Sequence, residues 1–193
     1  MIINRTWAMP NSKTFKIKPI RELILKYTKK PVFWIDPFAG HSTMKKYCIS
    51  TNDLNLDCET NKHMEALDYL KTFNDNSVGG VLFDPPYSAR QIKECYGSIG
   101  RKVHQEDTQG SFYTKKKEEI ARIVMGGGIV ISFGWSSMGI GKSRGFEIVE
   151  ILLVPHGGVH YDTICVVEKK MVEKREKQNG KEILQSSDGQ IGI

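Results

Sequence analysis

The tetrapeptide Asp84-Pro85-Pro86-Tyr87 sets a carboxylate, two residues without a backbone N–H, and an aromatic ring side by side after an apolar run. Proline donates no hydrogen bond and stiffens the loop, while the carbonyls around it remain acceptors. The segment therefore presents acceptors only, next to a flat apolar face. The chemical complement is an exocyclic amine on a planar ring, with two N–H donors in the ring plane. Accepting both hydrogens draws the nitrogen toward tetrahedral geometry and frees its lone pair for attack. Tyr87 can stack on the ring. A nucleobase presented in this way has to leave its duplex.

Two more acids stand where chemistry is expected. Asp36 opens Asp36-Pro37-Phe38-Ala39-Gly40 after the apolar run VFWI, and Asp53 closes CISTND. Ligands of open α/β sheets bind beyond the carboxyl ends of the strands. Asp53 lies seventeen residues after Asp36, close to the ~20-residue offset at which an acid meets a ribose in mononucleotide folds. An adenosine-bearing cofactor fits that spacing. Acids that merely cap turns fit it too, and no G-x-G-x-x-G fingerprint is present.

The elements that must position these residues follow from pattern. Pro19 suits a first helical position, and Ile20, Leu23, Ile24 and Tyr27 share one helix face, with Pro31 as the stop. VFWI (32–35), CISTND (48–53), SVGGVLF (77–83) and IVISF (129–133) read as strands. His41-Ser42-Thr43 can cap a short helix, and Met64 to Phe73 and residues 113–125 have helical spacing. Residues 88–111 show no period, which predicts a long functional loop running into a helix start, the 88–117 insertion. FEIVEILLV (146–154) and YDTICVVE (161–168) are joined by a short loop, so they must be antiparallel. The expected fold is a Rossmann-like α/β domain with a mainly parallel sheet and an antiparallel strand near its C-terminal end.

The 193 residues suit one domain, residues 1–170, followed by a polar tail, 171–193, expected to be disordered. The 28 Lys/Arg and 22 Asp/Glu are distributed in blocks. Residues 1–31, 90–117 and 169–182 are basic; the strand-bearing stretches between them are neutral to acidic. Basic edges on such a core suit a polyanion, although a plain solvated surface has the same signature. The four cysteines form no CxxC pair, and there is no secretory h-region and no membrane-length apolar run, which predicts a reduced, cytoplasmic, non-membrane protein. No metal site is expected. His156 and His160 are four apart but flank glycines in a loop, where the helical geometry of a zinc pair is lacking. Gly141-Lys142-Ser143 fails as a P-loop because Ser136 stands where the first glycine belongs.

The order DPFAG, Asp53, DPPY resembles the S-adenosylmethionine-dependent amino-methyltransferases, and DPPY resembles the N6-adenine DNA methyltransferases among them. The resemblance covers roughly residues 14–168. It implies S-adenosylmethionine as cofactor, its methionine end held by Asp36, Pro37, Phe38, Ala39 and Gly40 and its ribose by Asp53. It places Glu65 on the cofactor's adenine ring, with Asp68 as rival, and packs the Lys18-Pro19-Ile20 helix against the cofactor. It makes Asp84, Pro85, Pro86 and Tyr87 the residues that hold the target adenine. Relatives acting on N4 of cytosine begin this motif with Ser, and those acting on glutamine or guanine with Asn, so Asp84 favours adenine. One departure is Ser42 in place of the second glycine of the family's DPFxGSGT.

The implied activity is methyl transfer to N6 of adenine in DNA. An RNA adenine methyltransferase and a non-catalytic nucleic-acid-binding subunit are the alternatives. No separate target-recognition domain is visible, so recognition is expected from inserted loops, a partner subunit or a second copy of the chain. Arg101, Lys102 and Lys115 within 88–117 are the expected nucleic-acid contacts, aided by His156 and His160 of the 155–161 loop. Such an enzyme is at home in bacteria or their phages.

Overall fold

A computed structural model describes residues 1–29, 33–158 and 160–172. Pro31, the expected helix stop, and residues 173–193 of the expected disordered tail lie outside the described residues. Seven strands form one sheet: β1 (Ile2–Arg5), β2 (Trp34–Asp36), β3 (Ser50–Thr51), β4 (Val78–Phe83), β5 (Val124–Gly134), β6 (Phe146–Val154) and β7 (Thr163–Lys170). Their order is β1-β6-β7-β5-β4-β2-β3. Strand β7 runs antiparallel to both its neighbours, β5 and β6, and every other pairing is parallel. The short β6–β7 connection forces that reversal, since a parallel return needs a crossover.

Side chains alternate along β5 and so divide the core. Ile131 and Phe133 join Trp34, Leu82, Leu152 and Val167 on one face. Helix α1 (Lys18–Thr28) covers that face with Ile20, Leu23 and Ile24, and its Pro19 sits in the first turn. Val130 joins Ile35 and Val81 on the other face, under α2 (Ala66–Lys71) and α4 (Ser111–Ile123). Close packing sets one composition detail. A Cβ on Gly80 of β4 would collide with the Trp34 indole on neighbouring β2.

Four elements differ from expectation. Residues 89–98, read as loop, form helix α3 (Ala89–Ser98), whose N-cap Ser88 accepts a hydrogen bond from the Gln91 N–H at 3.2 Å. Its buried face is only Ile92 and Tyr96, which pack on Phe112 in a satellite cluster, too little to give a helical period. Strand β1 is fully exposed at the sheet edge and carries no alternation to read. His41-Ser42-Thr43 leads into a single 3-10 turn, residues 45–47, rather than an α-helix. Finally, β5 begins at Val124, so Gly126, Gly127 and Gly128 lie inside an irregular strand instead of ending a helix.

Candidate active site

The carboxyl ends of β2, β3 and β4 open onto a cleft of about 400 Å³. The turn after β2 is built by one local cap and one bond across to the end of β3. The Phe38 N–H donates to the Asp36 carboxylate at 3.0 Å, and the Gly40 N–H donates to Asp53 Oδ2 at 2.8 Å. Gly40 has φ +47°, a left-handed conformation that glycine adopts without strain. Asp53 Oδ1 takes the Asn55 N–H at 2.8 Å, so this acid is fixed from two sides while still lining the cleft. Buried Asn52 ties the walls together. Its amide donates to the Pro37 carbonyl at 3.1 Å and the Met64 carbonyl at 2.9 Å, and its oxygen accepts the Met64 N–H at 3.1 Å. Sequence reasoning passed over Asn52; only its place one residue before Asp53 could have flagged it.

Asp36 is fully buried and does not line the cleft. Its Oδ2 has no hydrogen-bond partner among the described residues. Burial pushes its carboxyl well above the usual range; the Phe38 N–H opposes this, and the charges of Asp84 and Asp53 add to it. Asp36 thus acts on the turn, while Pro37, Phe38, Asp53 and Glu65 reach the cleft directly. Ala39 and Gly40 line an upstream arm, which residues 12–16 close from the other side and which ends on Asp84. Lys18 is in neither space: its exposed ammonium lies 4.0 Å from Glu22 on its own helix. Thr14 takes the position expected of the Lys18 segment, lining the cleft on the Asp84 side.

Glu65, expected on the cofactor, is held by the insertion. Tyr96 O–H donates to it at 3.0 Å and Arg101 forms an ion pair with it. The Arg101 guanidinium lies 4.4 Å from the centre of the Tyr96 ring, and Asp107 is 4.0 Å away. Arg101 therefore faces inward and is not a free nucleic-acid contact. The rival Asp68 pairs with Lys71 at 3.4 Å and does not line the cleft.

Asp84, Pro85, Pro86 and Tyr87 follow β4 and line the cleft as one wall. The Tyr87 hydroxyl donates to the Asp84 carboxylate. Burial raises the Asp84 carboxyl to about 6, against the lowering effect of Tyr87 and Thr14. Burial, then the Asp84 charge, pushes the Tyr87 phenol well above its ordinary value. The loop is braced by Tyr113, which donates to the Pro86 carbonyl at 2.6 Å, and by Gln91, which accepts the Tyr87 N–H at 2.5 Å. The Tyr87 ring meets Trp135 edge-on at 5.8 Å, and Trp135 meets Tyr161 at 4.4 Å. These last two aromatics carried no signal in a single sequence.

Of the remaining expected contacts, Lys102, Lys115 and His160 are exposed. His156 is buried instead. Its ring nitrogens meet the Ala8 carbonyl at 2.8 Å and Thr163 Oγ1 at 2.9 Å, which makes it a pin between the N-terminal segment and β7. No metal-holding group of three or more His, Cys, Asp or Glu occurs among the described residues. No described helix is long and apolar enough to cross a membrane.

No family model and no curated protein matches this sequence. Solved structures do match in fold. An S-adenosylmethionine-dependent methyltransferase from Archaeoglobus fulgidus aligns at TM-score 0.55 and 12% identity over 79% of this chain and 92% of that one. The 1,6-didemethyltoxoflavin-N1-methyltransferase of Burkholderia thailandensis, solved with bound 1,6-didemethyltoxoflavin and S-adenosylhomocysteine, gives 0.54 and 11% over 80% and 78%. TrmN from Thermus thermophilus gives 0.54 and 15% over 80% of this chain, which spans 49% of TrmN. The chain has the Rossmann-like methyltransferase fold. In this methyltransferase fold the cleft and the Asp84–Tyr87 wall occupy the strand-end position where open sheets take their ligands.

Proposed function

We propose that this chain transfers a methyl group from S-adenosylmethionine to the N6 amine of adenine in DNA. The observation that carries the reading is the acceptor-only wall: the Asp84 carboxylate and the adjoining prolines, at the end of β4 and facing the cleft. The cleft suits the cofactor in donor and acceptor type. Asp53 and Glu65 offer acceptors for ribose and adenine donors, and Lys13 and Lys16 flank the upstream arm, where a carboxylate fits. When bound, S-adenosylmethionine supplies an electrophilic methyl on a sulfonium, itself a good leaving group.

The protein's own part is alignment. Asp84 and the Pro85 carbonyl accept the two amine hydrogens and turn the nitrogen lone pair toward the cleft, while the Pro86 carbonyl is held by Tyr113. S-adenosylmethionine, when held there, would supply the methyl group for this lone pair, the C–S bonding electrons staying with sulfur. One amine proton then leaves, and Asp84, with its carboxyl near 6, can take it transiently before water does. Tyr87 holds Asp84 in place. The exposed Lys102, Lys115 and His160 are left to meet a polyanion.

The test is transfer of a labelled methyl group to duplex DNA, single-stranded DNA and RNA in parallel, with product nucleosides identified by mass spectrometry. N6-methyl-2′-deoxyadenosine in the DNA arms is the expected result. Label only in RNA, or only on another base, would replace the substrate assignment.

A further inference from the structure

A second cavity, of about 320 Å³, lies behind the Pro85-Pro86-Tyr87 wall, between that wall and the segment that follows β5. Tyr87, Tyr113 and Trp135 supply aromatic walls, and Ser132 of β5 and Lys117 of α4 supply a hydroxyl and an ammonium. Ser132 is 8% exposed, and its Oγ has no hydrogen-bond partner among the described residues. Along β5 it shares a face with Val130, inside an apolar cluster where an alanine or valine would satisfy packing. A buried hydroxyl without a partner is rare in native proteins and costly. Its presence at an apolar position, on the lining of a cavity, points to a ligand that completes it.

Lys117 tells the same story from the facing helix. No hydrogen bond or ion pair holds its ammonium among the described residues. Glu168 shares charge with it at longer range, but both Glu168 oxygens are occupied by the Ile140 and Gly141 N–H groups, at 2.5 and 2.9 Å. Burial, with the charge of Arg144, lowers the Lys117 ammonium from its ordinary value, as expected of a cation facing a semi-enclosed space.

We propose that this cavity seats the ring of the base whose amine reaches the Asp84 wall, and that Ser132 and Lys117 are specificity-determining donors that read ring acceptors. The proposal deepens the nucleobase reading above and rests on it. Pro85, Pro86 and Tyr87 are shared between this cavity and the cleft that Asp84 lines, so acceptors at that wall and donors on the opposite side match a flat heterocycle bearing an amine and ring nitrogens. A base with a carbonyl in place of the amine would set acceptor against acceptor at Asp84. Three aromatic walls suit stacking on such a ring.

The test uses the full chain with S-adenosylmethionine and single-stranded oligonucleotides carrying one adenine, 1-deazaadenine, 3-deazaadenine or 7-deazaadenine. One neutral hydrogen bond is worth roughly threefold to tenfold. The parent should methylate at least one deaza base that much less efficiently in kcat/KM. Ser132→Ala or Lys117→Met should lose a similar factor on adenine and no longer distinguish adenine from that analogue. Ser132→Ala should keep or raise Tm, because it removes an unpaired buried hydroxyl, whereas a purely structural serine would lower it. Values of kcat/KM within twofold of the parent on all four bases, in both variants, overturn the proposal.

If the parent methylates no base at all, the nucleobase reading falls, and the cavity is tested separately. Adenosine is titrated against tryptophan fluorescence, with Trp135→Phe as the blank. Quenching that is abolished in the Ser132→Ala/Lys117→Met double variant keeps the cavity as a heterocycle site. No quenching, or quenching unchanged in the double variant, ends it.

Discussion

The segments that leave β2 and β4, residues 37–64 and 85–113, both border the cleft, yet they are held in opposite ways. In the first, carboxylate and amide side chains answer to backbone groups within the segment itself. Asp36 caps Phe38, Asp53 takes the Gly40 and Asn55 N–H groups, and Asn52 binds Pro37 and Met64. In the second, the partners are remote. Tyr96 and Arg101 reach back to Glu65, Tyr113 to Pro86, and Ile92 and Tyr96 need Phe112 to bury them. Lys116 turns inward as well, 3% exposed, with its ammonium 3.3 Å from the centre of the Phe112 ring and lowered to about 8, chiefly by burial. A basic stretch in a sequence is therefore not a basic surface. Seven Lys/Arg lie between residues 90 and 117, and Arg101 and Lys116 are spent on the fold itself.

The sharpest way to break this comparison is in the cleft the two segments share, at Asp84. Asp84→Ala should cost about 3–4 kcal/mol of transition-state stabilisation, by analogy with the loss of an oxyanion-hole donor. Cofactor affinity by calorimetry should stay close to parent. Transfer within threefold of parent would remove the wall from the chemistry. Asp53→Ala tests the locally capped half. We expect about 1.5–3 kcal/mol weaker cofactor binding, the worth of hydrogen bonds to a charged acceptor, with little change in maximal rate at saturation. Unchanged affinity would mean that Asp53 serves only its turn.

The Asp84 carboxyl also sets a pH signature. Its pKa is about 6 in the fold against an ordinary 3.8. Between these values the folded state binds more protons than the unfolded one, so Asp84's contribution to stability falls as pH rises from about 4 to 6 and is flat above. Activity has the opposite sense, because only the carboxylate accepts amine hydrogens. The rate should fall about tenfold per unit below pH 6. Asp84→Asn should abolish that limb and flatten the pH dependence of the denaturant midpoint across the same window. An unchanged slope in the midpoint would place the titrating group elsewhere.

Arg101→Ala sharpens the remotely held half. Arg101 and Glu65 are both partly exposed, so their pair is worth about 1 kcal/mol at most. We expect cofactor affinity to weaken by up to about fivefold, with the salt dependence of DNA binding unchanged. Lys102→Ala/Lys115→Ala should do the reverse, reducing the log–log salt slope by about two, at ~0.9 per phosphate contact, without touching the cofactor. A change of salt slope in Arg101→Ala would mean that the arginine swings outward when nucleic acid binds.

Much of the fold was legible because its signals are local. The runs behind β2, β4, β5, β6 and β7 are apolar and bounded by breakers, and the short β6–β7 link by itself dictates an antiparallel pair. The exposed edge strand β1 and the two-anchor helix α3 lack such signals, since their stability comes from neighbours distant in sequence. At the site, Asp84 and Asp53 were legible from residue type and spacing. Thr14, Asn52 and Trp135 were not, because each matters through what it touches.

The sequence by itself determined an α/β sheet with carboxylates at its strand ends and an acceptor-only loop after the fourth strand. Alternation, proline chemistry and turn length act over a few residues and so can be read without the rest of the chain. Tertiary structure alone decided which charges face solvent, since burial and pairing depend on partners tens of residues away. It drew Arg101 to Glu65, closed His156 between Ala8 and Thr163, sealed Asp36 beneath its turn, and left the Ser132 hydroxyl unpaired beside a cavity.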